Sequence, residues 1–222
     1  MAILNVGLFG GAFDPVHNGH LHIANTCLTT LTLDKMVIMP TGESAFRKPL
    51  TTACHRVQML KRAFSSKIFE IDEFEINSAM KKQPSYTVST LKYLRAKCSS
   101  RLFLILGADT FSSFHKWYQF VDIIDYCHMI IINRNQIKID EVDLDNKLKK
   151  FTEQYVTDSI KDLQSATSGK IFFLNIQPIE ISSSEIKNKI FQNKSVSTSV
   201  PIEVAKYIEE NKLYASSSGQ EK

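Results

Sequence analysis

Short apolar runs and helical patterns alternate along the 222 residues of the chain. Residues 3–9 form an apolar run that stops at Gly10-Gly11, the pattern of a buried strand. Residues 19–31 carry helical spacing, and Lys35 to Met39 is a second short run closed by Pro40. Residues 51–64 set Val57, Leu60 and Phe64 on one helical face. Ile68 to Ile76 alternates apolar with acidic residues and predicts an edge or half-exposed strand. Helical spacing returns at 86–97 through Val88, Leu91 and Leu94. Leu102 to Leu106, ending at Gly107, and Met129 to Ile132, ending at Asn133-Arg134, predict two more buried strands. Residues 143–164 predict a long, charged helical excursion, either solvated or a contact surface, Ile171 to Leu174 a last strand, and 183–192 and 201–211 two final helices. This βαβα rhythm predicts an α/β fold with an open, mostly parallel sheet covered by helices on both faces.

The pattern contains no internal repeat and no linker, so one domain is expected over 1–214. The small, polar stretch 215–222 is expected to be a frayed, disordered tail. Residues 41–50 lack periodicity and hold Gly, Pro and two adjacent cations, which predicts a surface loop where α/β enzymes keep mobile substrate loops.

Composition narrows the class. Hydrophobic residues make up 43% and charged residues 23%, near the globular average, which excludes wholesale disorder. The net charge of +4, from 27 basic against 23 acidic residues, suits an anionic substrate, but the basic residues form no run or stripe of a nucleic-acid footprint. Cysteines 27, 54, 98 and 127 show no CxxC spacing and read as thiols of a reducing cytoplasm. No apolar stretch approaches the roughly 20 residues that span a bilayer, and the N-terminal residues lack a signal peptide's charged n-region. No membrane or nucleic-acid partner is expected, and the pattern leaves the oligomeric state undetermined.

Ligands of an open parallel sheet collect at the carboxyl ends of its strands, near the reversal of strand order. Residues 7–24, GLFGGAFDPVHNGHLHIA, read as strand, glycine pair, Asp14-Pro15 turn and helix start. Gly10 and Gly11 let backbone amides approach an anion, and the helix N-terminus adds unpaired N–H groups and partial positive charge. His17 and His20 share one side of the first turn, while His22, two positions on, is expected to face away. By themselves these histidines serve equally to cap and pack the helix. Neither GxGxxG nor GxxxxGK[ST] is matched, and no Cys/His spacing suggests a protein-held metal. Further on, Ser182 and Glu185 in ISSSEIKNKI (181–190) have the spacing of a capping box, so a second helix start faces whatever anion binds there.

Here a resemblance enters. GGAFDPVHNGH is similar to the GxFDPxHxGH signature of the nucleotidyltransferases, and ISSSEIKNKI resembles their ISSTxIR motif. PSYTVSTLKYL (84–94), ILGADTFSSFHKWYQF (105–120), IINRN (131–135) and NKLY (211–214) resemble the bacterial nicotinate-nucleotide adenylyltransferases, in order over residues 5–214. The resemblance implies a Rossmann-like sheet of nucleotidyltransferase type. It also implies transfer of AMP from ATP to nicotinate mononucleotide, giving deamido-NAD and pyrophosphate in NAD biosynthesis, with Mg²⁺ carried by ATP rather than caged by the protein. His20 is implied to donate to the α-phosphate and His17 to orient the triphosphate. The backbone around Gly10, Gly11, Ala12 and Phe13, with Ser183, Ser184 and Lys187, is implied to hold the ATP phosphates. Trp117 is implied to stack on the pyridine ring, Thr87 and Tyr118 to receive its carboxylate, and Asp109 to bind ribose hydroxyls or to N-cap a helix. Arg134, at another strand end, is implied as a further nucleotide contact.

Two departures stand out. Ser44-Ala45-Phe46-Arg47-Lys48 replaces the family's PPHK or PPHR, with Phe46 at the histidine and Arg47 at the basic position that meets the acceptor. Lys187 replaces an arginine, exchanging a planar fork for a point charge. Activity is expected to be retained. The alternatives are a related enzyme taking nicotinamide mononucleotide or another phosphate monoester, and a non-catalytic nucleotide-binding module. His55, His115, His128 and the cysteines are read as structural.

Overall fold

The computed structural model describes residues 3–42, 50–97, 99–133, 144–177 and 179–215. Six strands, β1 (Leu4–Gly11), β2 (Lys35–Pro40), β3 (Phe69–Ile71), β4 (Ser100–Gly107), β5 (His128–Asn133) and β6 (Ile171–Asn175), form one sheet in the order β3-β2-β1-β4-β5-β6. Every pairing is parallel, which sharpens the expectation of a mostly parallel sheet. The chain order reverses between β1 and β4, which end at Gly11 and Gly107, and ligands of open parallel sheets bind at such a reversal.

Alternation along the strands divides the core. Phe9, Phe103, Ile105, Ile130 and Ile132 face one side. There they meet helices α1 (Asn18–Thr30), α2 (Ala53–Ala63), α9 (Ser183–Phe191) and α10 (Ile202–Glu210). Val6, Leu8, Leu102, Leu104, Met129 and Ile131 face the other side, under α4 (Thr87–Lys97) and α7 (Asn146–Tyr155). Both faces of the sheet are buried, which is why its strands read as continuous apolar runs rather than alternating ones.

Two expectations need correction. The strand foreseen over Ile68 to Ile76 lasts three residues, because the Asp72 carboxylate accepts the Phe74 amide proton (2.9 Å) and turns the chain into α3 (Phe74–Met80). The excursion foreseen at 143–164 is broken rather than continuous among its described residues, and while its charged face is solvated its apolar face is buried. Val156 bridges to Ile171 beside β6, which separates α7 from α8 (Ile160–Ser165). Leu148, Phe151 and Leu163 are buried, and Phe151 packs its ring on Phe114 and Phe120. After β4 the chain makes α5 (Ala108–Phe111), two 3-10 turns (Phe114–Lys116 and Phe120–Asp122) and α6 (Ile123–Tyr126), all too short to leave a periodic signal. No helix among the described residues is long and apolar enough to cross a membrane.

Candidate active site

The first signature folds into a compact turn at the carboxyl end of β1. Phe13 takes a left-handed backbone (φ 49°), unfavourable for a non-glycine residue, and its ring is buried to 1% exposure. That ring folds back over Gly11, where a Cβ would stand only 3.2 Å from it, and meets the edge of His20 at 5.0 Å between centroids. Gly10 has open space, with only the Met39 carbonyl within 4 Å of a Cβ built there.

His17 is the N-cap of α1, with extended backbone, and its amide donates to Nδ1 of His20 (3.2 Å). A neutral imidazole that accepts at Nδ1 carries its proton on Nε2, so His20 has a donor at that atom. The two rings lie 3.8 Å apart between centroids. The amide of Asn18 is not offered to an anion, because it donates to the Ser199 carbonyl (3.0 Å). Side chains rather than that amide therefore equip this helix start.

His22 is a correction. It lines the same cavity, of about 160 Å³, as His17 and His20, and its Nε2 bonds the Gln177 carbonyl (3.1 Å). At 100° per residue, lining positions 17, 19, 20, 22 and 23 span about 220° of the helix end, so the cavity reaches more than halfway around it instead of lying on one face. Its far wall is apolar, made of Ile132, Ile176, Ile179 and Ile181, and Ser182 and Ser183 close it.

The second signature meets the first directly. Ser182 caps α9 by accepting the Glu185 amide proton (3.1 Å), but the Glu185 carboxylate pairs with Lys189 (2.8 Å) and is turned away from the expected capping box. That cap leaves the amides of Ser183 and Ser184, the first two of the helix, for an anion. The Ser183 hydroxyl donates to the Pro15 carbonyl (2.9 Å), and Ser184 is exposed. Lys187 reaches back to the first signature and pairs with Asp14. Asp14 also accepts from the Tyr214 hydroxyl (2.7 Å) and the Thr51 amide (3.3 Å). Burial opposes charge on Asp14, but the bonds from Lys187, Tyr214 and Thr51 outweigh it and hold the carboxyl below its ordinary range.

Sequence reading missed Arg56. Fully buried, it donates to three carbonyls: Thr51 (3.0 Å), Ala12 (2.9 Å) and Thr41 (2.9 Å). It thereby ties the glycine turn to Thr41, just after β2, and to Thr51, just before α2. The one available signal was its i, i+4 relation to Leu60, which put a guanidinium on the apolar face of α2.

Of the residues that the resemblance implies for the acceptor, Asp109, Trp117 and Tyr118 follow β4 and Thr87 opens α4. Tyr118 stacks on Tyr86 (4.4 Å between centroids), joining the start of α4, where Thr87 stands, to the loop with Trp117. Trp117 is half-buried against Phe114 (5.3 Å), so it serves the core while keeping surface to offer. Asp109 is exposed in the first turn of α5, and Gly107, not Asp109, is the N-cap. Arg47, Phe46 and Arg134 lie outside the described residues. Among the residues read as structural, His55 bonds the Tyr207 hydroxyl (2.8 Å), and buried His128 bonds the Ala166 carbonyl (3.2 Å). Burial pushes the thiols of Cys27 and Cys127 up to about 12.

An all-parallel sheet with two stapled helix starts at its switch point defines a nucleotidyltransferase site, and the cytidylyltransferase-like family model matches residues 8–189. The chain is 32% identical over 216 residues to the "Probable nicotinate-nucleotide adenylyltransferase" of Marinomonas sp. (strain MWYL1), covering 96% of this chain and 95% of that protein. It is 33% identical over 215 residues to the protein of the same name from Coxiella burnetii (strain Dugway 5J108-111), covering 94% and 97%. The chain belongs to the nicotinate-nucleotide adenylyltransferase family. Its fold is also that of the Plasmodium falciparum nicotinic acid mononucleotide adenylyltransferase solved with NaAD, with a TM-score of 0.70 at 20% identity over 95% of this chain and 97% of that one.

Proposed function

We infer that the chain transfers the AMP of ATP to nicotinate mononucleotide, forming deamido-NAD and pyrophosphate, as an enzyme of NAD biosynthesis. The observation that carries this reading is the cavity where the histidine-bearing start of α1 and the serine-bearing start of α9 meet. Family membership supports the acceptor.

A 5′-phosphate oxygen of the acceptor is already ionised at neutral pH and needs no protein base. It attacks the α-phosphorus of ATP, the bond from that phosphorus to the bridging oxygen breaks, and pyrophosphate departs with the electron pair. The protein's part is positioning and neutralising charge. His20 donates from Nε2 to the α-phosphate oxygens, where charge crowds in the transition state. His17, beside it, orients the triphosphate together with the glycine turn. The amides of Ser183 and Ser184 and the ammonium of Lys187 take the outer phosphates. The isoleucine wall suits the flat apolar face of adenine. Trp117 stacks on the pyridine ring, the backbone at Thr87 and Tyr118 receives the carboxylate, and Asp109 meets a ribose.

Mg²⁺ fits this donor set as an ion held by the phosphate oxygens it arrives with. Asp14, the carboxylate inside the first signature, is committed to Lys187, Tyr214 and Thr51. When bound, the ion neutralises phosphate charge. The unpaired thiols of Cys27, Cys54 and Cys127 support a reducing, cytoplasmic setting.

Acceptor choice is tested by pyrophosphate release with nicotinate or nicotinamide mononucleotide at matched concentrations. The carboxylate reading expects a strong preference for nicotinate. Equal turnover would remove the roles given to Thr87 and Tyr118 and keep the enzyme class.

A further inference from the structure

Tyr214 stands four residues past α10 in a left-handed backbone (φ 63°) and returns its ring to the first signature, 200 positions earlier. Its hydroxyl occupies Oδ1 of Asp14 at 2.7 Å, while Lys187 and the Thr51 amide occupy Oδ2. The same ring lies 5.3 Å from the Lys187 ammonium, within cation–π reach. Burial is graded across the cluster: the Asp14 side chain is 2% exposed and that of Lys187 is 34% exposed. The carboxylate is thus a fixed anchor, and the ammonium is the more exposed member of the pair.

We propose that Tyr214 is a positioning residue for the triphosphate site, sharing the charge of Asp14 so that Lys187 can turn from this carboxylate to an incoming phosphate. The inference rests on the reading that Lys187 meets the ATP phosphates. Its physical basis is competition between donors. Tyr214 and Thr51 stabilise the ionised carboxylate from within the protein, so part of its charge is already answered when the lysine leaves. The Tyr214 ring gives the moving ammonium a second favourable surface. Without the hydroxyl, Lys187 answers more of the buried charge and is held more firmly, against ATP.

The test is calorimetric titration of MgATP into the full chain as wild type, Tyr214→Phe, Lys187→Gln and the double variant, with a thermal melt of each. Tyr214→Phe is expected to weaken MgATP binding about fivefold, part of the strength of one hydrogen bond to a charged group. Beside Lys187→Gln the same change should cost less than twofold, because the lysine through which it acts is gone. Equal losses in both backgrounds would make Tyr214 a packing residue and overturn the proposal, as would no loss at all. Unchanged MgATP binding in Lys187→Gln would overturn the phosphate role of Lys187 and the proposal with it. MgATP binding that follows the expected pattern, in a protein that fails to turn over nicotinate mononucleotide, would overturn the acceptor reading alone.

Discussion

Ser183 donates its hydroxyl proton to the backbone carbonyl of Pro15 at 2.9 Å, joining the two signatures across 168 positions of sequence. With the Lys187–Asp14 ion pair, that hydroxyl holds the helix start that carries His17 and His20 against the one that carries Ser184. Ser183→Ala should lower stability by about 1 kcal/mol, the value of a typical hydrogen bond. It should also raise KM for ATP several-fold with kcat largely retained, because both ends of the triphosphate site persist but no longer keep their distance. Steady-state kinetics with a parallel denaturant titration check this; an unchanged KM would mean that the staple does not set the phosphate spacing.

Gly19 illustrates close approach rather than backbone freedom. A Cβ there would stand 3.0 Å from Nδ1 and 3.1 Å from Cε1 of the His17 ring, closer than ordinary packing allows. Gly19→Ala gains up to about 1 kcal/mol of helix propensity, so stability should hold or rise slightly. The His17 ring must shift, so kcat/KM should fall at least about tenfold, the scale expected when a positioning group moves by a fraction of an ångström. A variant with wild-type kcat/KM would show that the His17 pose does not matter.

Glu75 introduces a pH dependence outside the cavity. Its carboxyl accepts from Thr90 (2.8 Å) on α4, and burial pushes it up to about 7. Its backbone carbonyl accepts from Ser85 (3.2 Å) and lies where a Cβ on Gly42 would intrude at 2.6 Å. A carboxyl raised in the fold favours the protonated form. Wild type should therefore match Glu75→Gln near pH 4.5 and fall behind it progressively between pH 4.5 and 7, with the full deficit above pH 7. Melting temperatures of both proteins from pH 4.5 to 8.5 test this, and a difference that stays constant with pH would contradict it.

Legibility in the sequence followed the range of the interactions. The buried strands were plain because a parallel sheet covered on both faces demands uninterrupted apolar runs, and the Ser182 cap was plain because caps act within one turn, whereas His17, His20 and Ser183 stood out only through the resemblance of their two signatures. The strand at 68–76 misled because its alternation is genuine, and a single side-chain bond from Asp72 to the Phe74 amide decides where it ends. Arg56 was hidden because it answers backbone carbonyls, including one 44 positions away, which leave no trace in residue identity. Tyr214 was visible as part of a motif but silent about its partner, since only the folded chain brings it to Asp14. His22 was misassigned because a helical wheel cannot show a cavity that reaches more than halfway around the helix end.

The most direct test of the central claim is pyrophosphate release from MgATP and nicotinate mononucleotide by wild type and by His20→Ala, each with and without the acceptor. Release should require the acceptor and fall by about a hundredfold or more in the variant, the usual effect of removing one transition-state hydrogen-bond donor. Acceptor-dependent release that survives in a folded His20→Ala protein, or no release from folded wild type, would contradict the account.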